Sequence, residues 1–277
     1  MIRPARAPFA LFLLLGTSSV LWMGGAPGRF DRPATYKIDF GAANWMARAG
    51  VRRQQHWGLE NLRVIADPTR RFARVLRVLY PKGSASPTVA RRNNAPLGGA
   101  QFVADLGMPP REALHLRYYV RFAASFDFVK GGKLPGLCGG RIYSGQKIPD
   151  GTDGFSTRFM WRRRGDGEVY AYLPTSIEHG TSLGRGSWRF RPGTWHALEQ
   201  KVVLNTPGRA DGYIRVWFDG KPVLEQRALE FRTVEDLKIE GIFFSTFFGG
   251  DDPSWATPKS TYADFADFVV SDRYIGP

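Results

Sequence analysis

The stretch GFSTRFMWRRRGDGEVYAY, residues 154–172, contains two runs of alternating apolar and polar side chains separated by a glycine-containing turn. Alternation with a period of two is typical of β-strands with one buried face. If Gly165–Gly167 forms a three-residue loop, Arg164 pairs with Glu168 and even-numbered residues oppose even-numbered residues, whereas a two-residue turn would separate them. The three-residue loop places four polar side chains on one solvent-facing surface: Ser156, Arg158, Tyr170 and Tyr172.

Further strands are predicted on both sides of this hairpin. Residues 72–80 and 114–122 alternate in the same way, and the second run has an apolar inner face and a basic outer face. Other candidates are residues 36–40, 196–204, 213–218, a return strand beginning at 223–224, and residues 239–248 and 265–270. Because the sequence between them shows no amphipathic helix longer than a turn or two, the crossovers of a parallel sheet are not expected. We predict an all-β fold, an antiparallel β-sandwich of jelly-roll type.

Length and composition are those of a folded domain. The chain has 277 residues, of which 43% are hydrophobic, and this excludes a disordered or low-complexity protein. The formal net charge of +14 predicts a polyanionic partner, which is a nucleic acid, an anionic membrane or an acidic polysaccharide. The single cysteine, Cys138, excludes an intramolecular disulfide, and we expect it to pack as a small apolar side chain.

The first 26 residues have the features of an export signal. A basic region precedes the apolar residues 9–15, and the small residues of a cleavage site follow at Gly24 and Ala26. We expect a secreted or periplasmic protein that begins near Pro27, with one domain over residues 27–277 and a charge of +12. The alternative is an uncleaved membrane anchor, because the weakly apolar stretch continues towards the cleavage site.

A glycine-rich segment, residues 128–140, carries Lys133 in what we predict to be a loop. Glycines let the backbone approach a ligand closely, so such a loop would position the lysine ammonium to bind an anionic ligand. The alternative is a solvated lysine in a turn. A phosphate-binding loop is not indicated, because the motif lacks the strand and helix that flank one.

The polar face of the 154–172 hairpin favours proton transfer over packing. A serine, a guanidinium and two phenols do not supply the paired carboxylates of a glycosidase. Elimination at a uronic acid instead needs a cation that neutralises the sugar carboxylate and an amine, phenol or imidazole that moves protons. The alternative is a solvent-exposed polar sheet face without a function.

Other candidate sites have weaker signals. The histidines show no metal-ligand spacing, so we expect no metal and no cofactor. No serine lies in a nucleophile-elbow motif. The three arginines at residues 162–164 indicate a solvated strand edge or a subsite for further acidic sugars. The two aspartates at residues 251–252 indicate an acidic turn or a calcium site.

Five motifs follow one another along the chain: YPKGS at 80–84, FDFVKGGKLPGL at 126–137, GFSTRFMWR at 154–162, YAY at 170–172 and FSTFFGG at 244–250. Together they resemble polysaccharide lyase family 14, the alginate and glucuronan lyases. The similarity extends from about residue 60 to the C-terminus, and the KLPGL and FFGG pieces are the most distinctive.

The resemblance implies a β-jelly-roll enzyme that cleaves uronic-acid polysaccharides by β-elimination. It places the family's essential lysine at Lys133, its serine and arginine at Ser156 and Arg158, and its tyrosine pair at Tyr170 and Tyr172. By this resemblance, Lys133 and Arg158 neutralise the uronate carboxylate, and a tyrosine exchanges protons with C5 and the leaving oxygen. Whether Lys133 or a tyrosine is the base stays open, because an amine base needs burial or a neighbouring cation to lower its pKa.

We therefore predict an exported, metal-independent lyase that acts on an acidic polysaccharide as a monomer without stable membrane insertion. Cys138 stands where the resemblance implies a larger side chain, which bears on substrate preference. The main alternative is a non-catalytic glycan-binding module, because fold and charge alone permit either. A nucleic-acid partner is disfavoured by the export signal and by the lack of a recognised DNA- or RNA-binding motif.

Overall fold

The computed structural model of the protein describes residues 1–2, 35–52, 54 and 56–277. The described residues from 35 onwards form one compact unit. The predicted export signal, apart from its first two residues, and the predicted cleavage site lie outside the described residues. Within the described ranges, no helix is long and apolar enough to cross a membrane.

Two antiparallel β-sheets make up the described fold. In chain order the strands are β1 Thr35–Lys37, β2 Leu62–Ala66, β3 Arg74–Tyr80, β4 Ala100–Asp105, β5 Ala113–Phe122, β6 Gly131–Gly140, β7 Gly154–Arg162, β8 Gly167–Tyr172, β9 Thr181–Leu183, β10 Trp195–Val203, β11 Gly212–Phe218, β12 Lys221–Leu229, β13 Gly241–Thr246 and β14 Thr261–Ser271. The larger sheet has the order β12-β11-β10-β5-β14-β3-β2, with β1 paired to β14. The smaller sheet has the order β4-β13-β6-β7-β8-β9.

Helices are short in the described part of the chain. They comprise α1 Trp45–Arg48, α2 Pro87–Arg92 and single 3-10 turns at Leu59–Asn61, Arg163–Gly165 and Pro253–Trp255. None of them is long enough to cover a sheet, so the two sheets bury their apolar faces against each other.

The core lies between the sheets and is rich in aromatic rings. Phe122 of β5 meets Trp161 of β7 edge-on with ring centroids 5.4 Å apart, and Tyr118 meets Phe159 at 6.3 Å across the same interface. All four side chains are buried. The predicted antiparallel β-sandwich of jelly-roll type is confirmed.

Most predicted strands lie where the alternation placed them, and the opening strand is β1 rather than residues 36–40. Strands β2, β4 and β9 are not predicted by the alternation. β4 is buried along nearly its whole length, so its sequence lacks the polar face that reveals a half-buried strand.

Residues 131–140 form the ten-residue strand β6, so the prediction of a loop there is wrong. The glycines serve close packing: a Cβ at Gly132 would lie 2.0 Å from the Trp161 ring, and one at Gly136 would lie 2.1 Å from the Thr157 carbonyl oxygen. Pro135 is tolerated because it sits at the register shift between Leu134 and Gly136, where the ladder is interrupted.

The turn between β7 and β8 has the predicted three residues, but it lies two positions earlier, at Arg163–Gly165. Arg164 and Gly165 take the left-handed φ values of 60° and 82° that reverse the chain. Glu168 therefore pairs with Met160, and the predicted Arg164–Glu168 pair is wrong. Even-numbered residues still oppose even-numbered residues, because the loop length is unchanged.

The basic outer face of β5 is largely covered rather than open to solvent. His115 is 4% exposed and Arg117 is 7% exposed. Glu199 of β10 accepts a 2.7 Å hydrogen bond from His115, and Asp267 of β14 accepts one of the same length from Arg117. Neighbouring strands thus supply carboxylates that the alternation within β5 could not reveal.

Substitution of Gly136 tests the close packing of β6. In Gly136→Ala the new methyl group would collide with the β7 backbone, and we expect the free energy of unfolding to fall by about 3 kcal/mol. Gly208→Ala is the control: Gly208 has a φ of 77° with nothing within 4 Å of its Cβ position. Backbone strain alone should cost that variant about 1 kcal/mol. Urea denaturation followed by tryptophan fluorescence measures both values, and equal losses would contradict the packing explanation.

Candidate active site

Strand register brings the five predicted site residues to one face of the smaller sheet. Phe159 and Trp161 of β7 belong to the core between the sheets. Because successive side chains of a strand point to opposite faces, the even-numbered residues of β7 point away from that core. In the ladder Lys133 is opposite Met160, Arg158 is opposite Tyr170, and Ser156 is opposite Tyr172.

The Lys133 amine contacts a thioether and an aromatic ring. Its Nζ is 2.8 Å from the Met160 Sδ and 3.6 Å from the centre of the Tyr170 ring. Burial, helped by the positive charges of Arg158 and Arg162, holds the pKa of Lys133 well below its ordinary value. Among the described residues, no carboxylate forms an ion pair with this amine. A fraction of neutral lysine is therefore present at much lower pH than for a solvated lysine.

Arg158 is a buried cation without a carboxylate partner among the described residues. Its side chain is 1% exposed, and its guanidinium lies 4.6 Å from the centre of the Phe243 ring. Nη1 donates a 3.1 Å hydrogen bond to the Ser245 Oγ. Burial lowers the pKa of Arg158 to about 10, so the guanidinium stays charged at neutral pH. A buried unpaired guanidinium is costly unless an anion binds to it.

Three buried polar atoms on this face make no hydrogen bond to any described residue. They are the Ser156 Oγ, the Arg158 Nε and the Glu168 Oε2. Buried polar atoms are nearly always hydrogen-bonded, so unpartnered ones on one face indicate a place where a polar ligand can bind. Two of the three atoms belong to predicted site residues.

The two tyrosines are packed edge to face, with ring centroids 5.8 Å apart. Burial raises the pKa of Tyr170 to about 12 and also raises that of Tyr172, so both phenols are protonated at neutral pH. The Tyr172 hydroxyl donates a 2.9 Å hydrogen bond to the Gly145 carbonyl oxygen. Tyr143 and Ile148 pack against the tyrosines.

The solvent-facing position predicted for the four polar residues of the hairpin is wrong. Ser156 and Arg158 are buried, and so are both tyrosines. The segment between β6 and β7, residues 141–153, brings Tyr143 and Ile148 over this part of the face, and the path of an irregular segment is not visible in strand alternation. Burial changes the chemistry because it shifts the pKa values of the lysine, the arginine and the phenols.

The buried pair of Glu168 and Arg162 was missed in the sequence. Glu168 is fully buried and accepts a 2.7 Å hydrogen bond from the Arg162 Nε, and the Ser182 hydroxyl donates to the same carboxylate oxygen. The Arg162 side chain is therefore fixed by its bond to Glu168, whereas Arg163 and Arg164 are exposed. The alternation of the strand could have revealed Glu168 as a site residue, because it lies two residues before Tyr170 and so shares its face.

The remaining candidate residues, Cys138 and the acidic pair at 251–252, have roles in packing and in a turn. Cys138 is buried beside Val103 and Phe243, as expected for a small apolar side chain, and burial raises its pKa. Asp252 accepts hydrogen bonds from Ser254 at the start of a 3-10 turn, which is the acidic turn expected there. In the part of the chain that the structure describes, no group of three or more His, Cys, Asp or Glu side chains is placed to hold a metal.

The face as a whole combines an amine with a lowered pKa, a buried guanidinium and two protonated phenols. Such a set can bind a carboxylate and move protons next to it. Its residues lie on three adjacent strands, β6, β7 and β8, which hold them in fixed register.

Known proteins resemble this chain over most of its length. The family model described as Polysaccharide lyase 14 matches residues 68–268. The crystal structure of the marine PL-14 alginate lyase from Aplysia kurodai has 31% sequence identity and a TM-score of 0.71, and the match covers 88% of this chain and 98% of that one. A comparison with curated proteins found no match.

Two further solved structures share the fold. Alginate lyase vAL-1 from Chlorella virus has 25% identity and a TM-score of 0.65, covering 76% of this chain and 89% of its own. The endo-β-1,4-glucuronan lyase from the fungus Trichoderma reesei has 14% identity and a TM-score of 0.53, covering 80% and 90%. The family model and the Aplysia kurodai structure confirm the family predicted from the five motifs. The chain is therefore a polysaccharide lyase and belongs to the polysaccharide lyase 14 family.

Proposed function

We propose that the protein cleaves a uronate-containing polysaccharide of the alginate or glucuronan type by metal-independent β-elimination. The observation that carries this proposal is the Lys133 amine, whose lowered pKa makes it a base, next to the Tyr170 phenol and the unpaired Arg158 guanidinium. The relative described as an alginate lyase supports alginate as the first polymer to test.

Arg158 binds the carboxylate of the uronate whose C5 proton is removed. An adjacent carboxylate with its negative charge neutralised stabilises the carbanion character that develops when that proton leaves. The Ser156 hydroxyl, which has no partner among the described residues, donates a hydrogen bond to the same carboxylate. These two groups supply the stabilisation that a metal ion would otherwise provide.

Lys133 removes the proton and Tyr170 protonates the leaving oxygen. The neutral amine takes the C5 proton, the bond between C4 and its glycosidic oxygen breaks, and the C4–C5 double bond forms. The Tyr170 phenol gives its proton to the leaving oxygen, which becomes a hydroxyl. The resulting ammonium lies against the phenolate ring, so return of the proton restores both groups.

Tyr170 is favoured over Tyr172 as the proton donor. The Tyr172 hydroxyl already donates to the Gly145 carbonyl, whereas the Tyr170 ring is the one in contact with the lysine amine. Tyr172 then orients the Tyr170 ring through their edge-to-face contact.

Export forms part of the same proposal. Residues 1–26 have the basic, apolar and small-residue regions of a signal, which supports export. A secreted or periplasmic monomer is the form that we propose for the active enzyme.

The lyase activity is tested by the ultraviolet absorbance of the unsaturated product. Wild-type protein is incubated with polymannuronate, polyguluronate, glucuronan and hyaluronan, with and without a chelator. We expect product from at least one alginate or glucuronan polymer, unaffected by the chelator. Loss of the base or the acid should reduce the rate at least roughly a hundredfold in Lys133→Ala and Tyr170→Phe.

Lys221→Ala is the matched control, because Lys221 is an exposed lysine on the edge strand β12 of the other sheet. This variant should retain the wild-type rate. Absence of product from every polymer, or full activity in Lys133→Ala, would overturn the proposal. Binding of polymer without turnover would support the glycan-binding module instead.

The pH dependence of kcat/KM identifies the base. If Lys133 must be neutral, the rate rises with pH as the amine loses its proton and levels off below the ordinary pKa of lysine. If Tyr170 must be protonated, the rate falls only as the pH approaches its pKa of about 12. A rate that keeps rising through the ordinary range of lysine and tyrosine would instead identify an unperturbed group as the base.

A further inference from the structure

A cavity of about 370 Å³ lies beside helix α2, outside the site described above. We call it the Trp57 pocket. Its volume is within the range of small-molecule binding pockets. Its walls combine apolar side chains with one cation and one amide: Trp57, Pro87, Ala90, Leu97, Arg91 and Asn94.

The pocket is held by well-defined local structure. Trp57 exchanges backbone hydrogen bonds of 3.1 Å and 2.9 Å with Gln101 of β4. Ala90 is a buried residue of α2, and the backbone N–H of Asn94 donates to the Arg91 carbonyl where the helix ends. Asn94 takes a left-handed φ of 49° there. The walls therefore do not depend on a long flexible loop.

The Trp57 pocket is connected to Lys133 by a short chain of contacts. The Trp57 and Phe247 rings meet with centroids 5.6 Å apart. The Phe247 carbonyl accepts a 2.9 Å hydrogen bond from the Lys133 amide. A Cβ built on Gly249 would lie 3.2 Å from the Phe247 ring and 3.8 Å from the Lys133 Cγ, so the ring and the lysine stem flank the same glycine.

The chemistry of the walls selects an acidic sugar. Arg91 is exposed and forms no ion pair with a described acidic residue, so its planar guanidinium is available for a bidentate bond to a carboxylate. An indole offers a flat apolar surface to the C–H face of a pyranose ring, and the Asn94 amide offers both a donor and an acceptor to sugar hydroxyls. A neutral or purely apolar ligand would make no bond to the guanidinium's charge.

We propose that the Trp57 pocket binds a uronate residue of the polysaccharide at a distance from the bond that is cleaved, with Arg91 on its carboxylate and Trp57 against its ring. This proposal rests on the proposed function. Because Trp57 and Phe247 lie between the pocket and Lys133, a short oligosaccharide centred on Lys133 does not fill it. The pocket therefore makes the enzyme prefer longer chains.

Arg91→Ala tests the subsite, and Arg92→Ala is its control. The two arginines are exposed neighbours in α2 and change the net charge equally, but only Arg91 lines the pocket. We expect KM for the polymer to rise roughly tenfold in Arg91→Ala, with kcat retained, which corresponds to a loss of about 1.4 kcal/mol of binding. Arg92→Ala should match the wild type, and turnover of the shortest oligosaccharide cleaved should be the same in all three proteins.

Binding to catalytically inactive protein provides the second readout. In a Lys133→Ala background, calorimetry with oligosaccharides of increasing length should show a gain in affinity at one length, and Arg91→Ala should remove that gain. Equal KM values for Arg91→Ala and Arg92→Ala, or equal losses on short and long substrates, would overturn the subsite while leaving the lyase intact. If wild-type protein cleaves no polymer, the proposed function fails, and the length dependence of binding still decides whether the pocket holds acidic sugar.

Discussion

Lys133 and Arg158 share one face of the smaller sheet, and neither forms an ion pair with a carboxylate among the described residues. The chemistry of the site depends on these two basic groups being unpaired. Burial penalises both charges. Lysine responds by losing its proton more readily, which makes it a base. Arginine keeps its charge at neutral pH and so remains a binding group for a carboxylate.

Other buried arginines in the described part of the chain are paired with carboxylates. Arg77 and Arg121 both donate 2.8 Å hydrogen bonds to Asp264, which is fully buried, and Arg162 is bonded to Glu168 in the same way. Pairing of this kind satisfies a buried charge within the protein. The positive charge that is left unpaired on the site face is therefore available to a polyanionic substrate, which agrees with the excess of basic residues in the sequence.

The prediction from sequence was accurate where side chains alternate and failed where they do not. Period-two alternation located β7 and β8, and the parity of their turn correctly placed Ser156, Arg158 and the two tyrosines on one face. The glycines of β6 have no side chains to alternate, so this strand was predicted as a loop although its packing against Trp161 and Thr157 requires a strand. The covering segment at residues 141–153, which buries the site, has no regular secondary structure, so side-chain alternation does not predict where it folds. The family resemblance assigned Lys133 a role that its local sequence alone did not distinguish from a solvated lysine.

The protonation state of Lys133 can be measured directly. Carbon-13 labelling of lysine Cε, with the Lys133 signal identified by its loss in Lys133→Met, gives the pKa of each lysine from the pH dependence of its chemical shift. The environment formed by Met160, Tyr170 and the nearby arginines predicts that the Lys133 signal titrates well below the signals of the other lysines. Titration of Lys133 together with the exposed lysines would contradict its assignment as the base that starts the elimination.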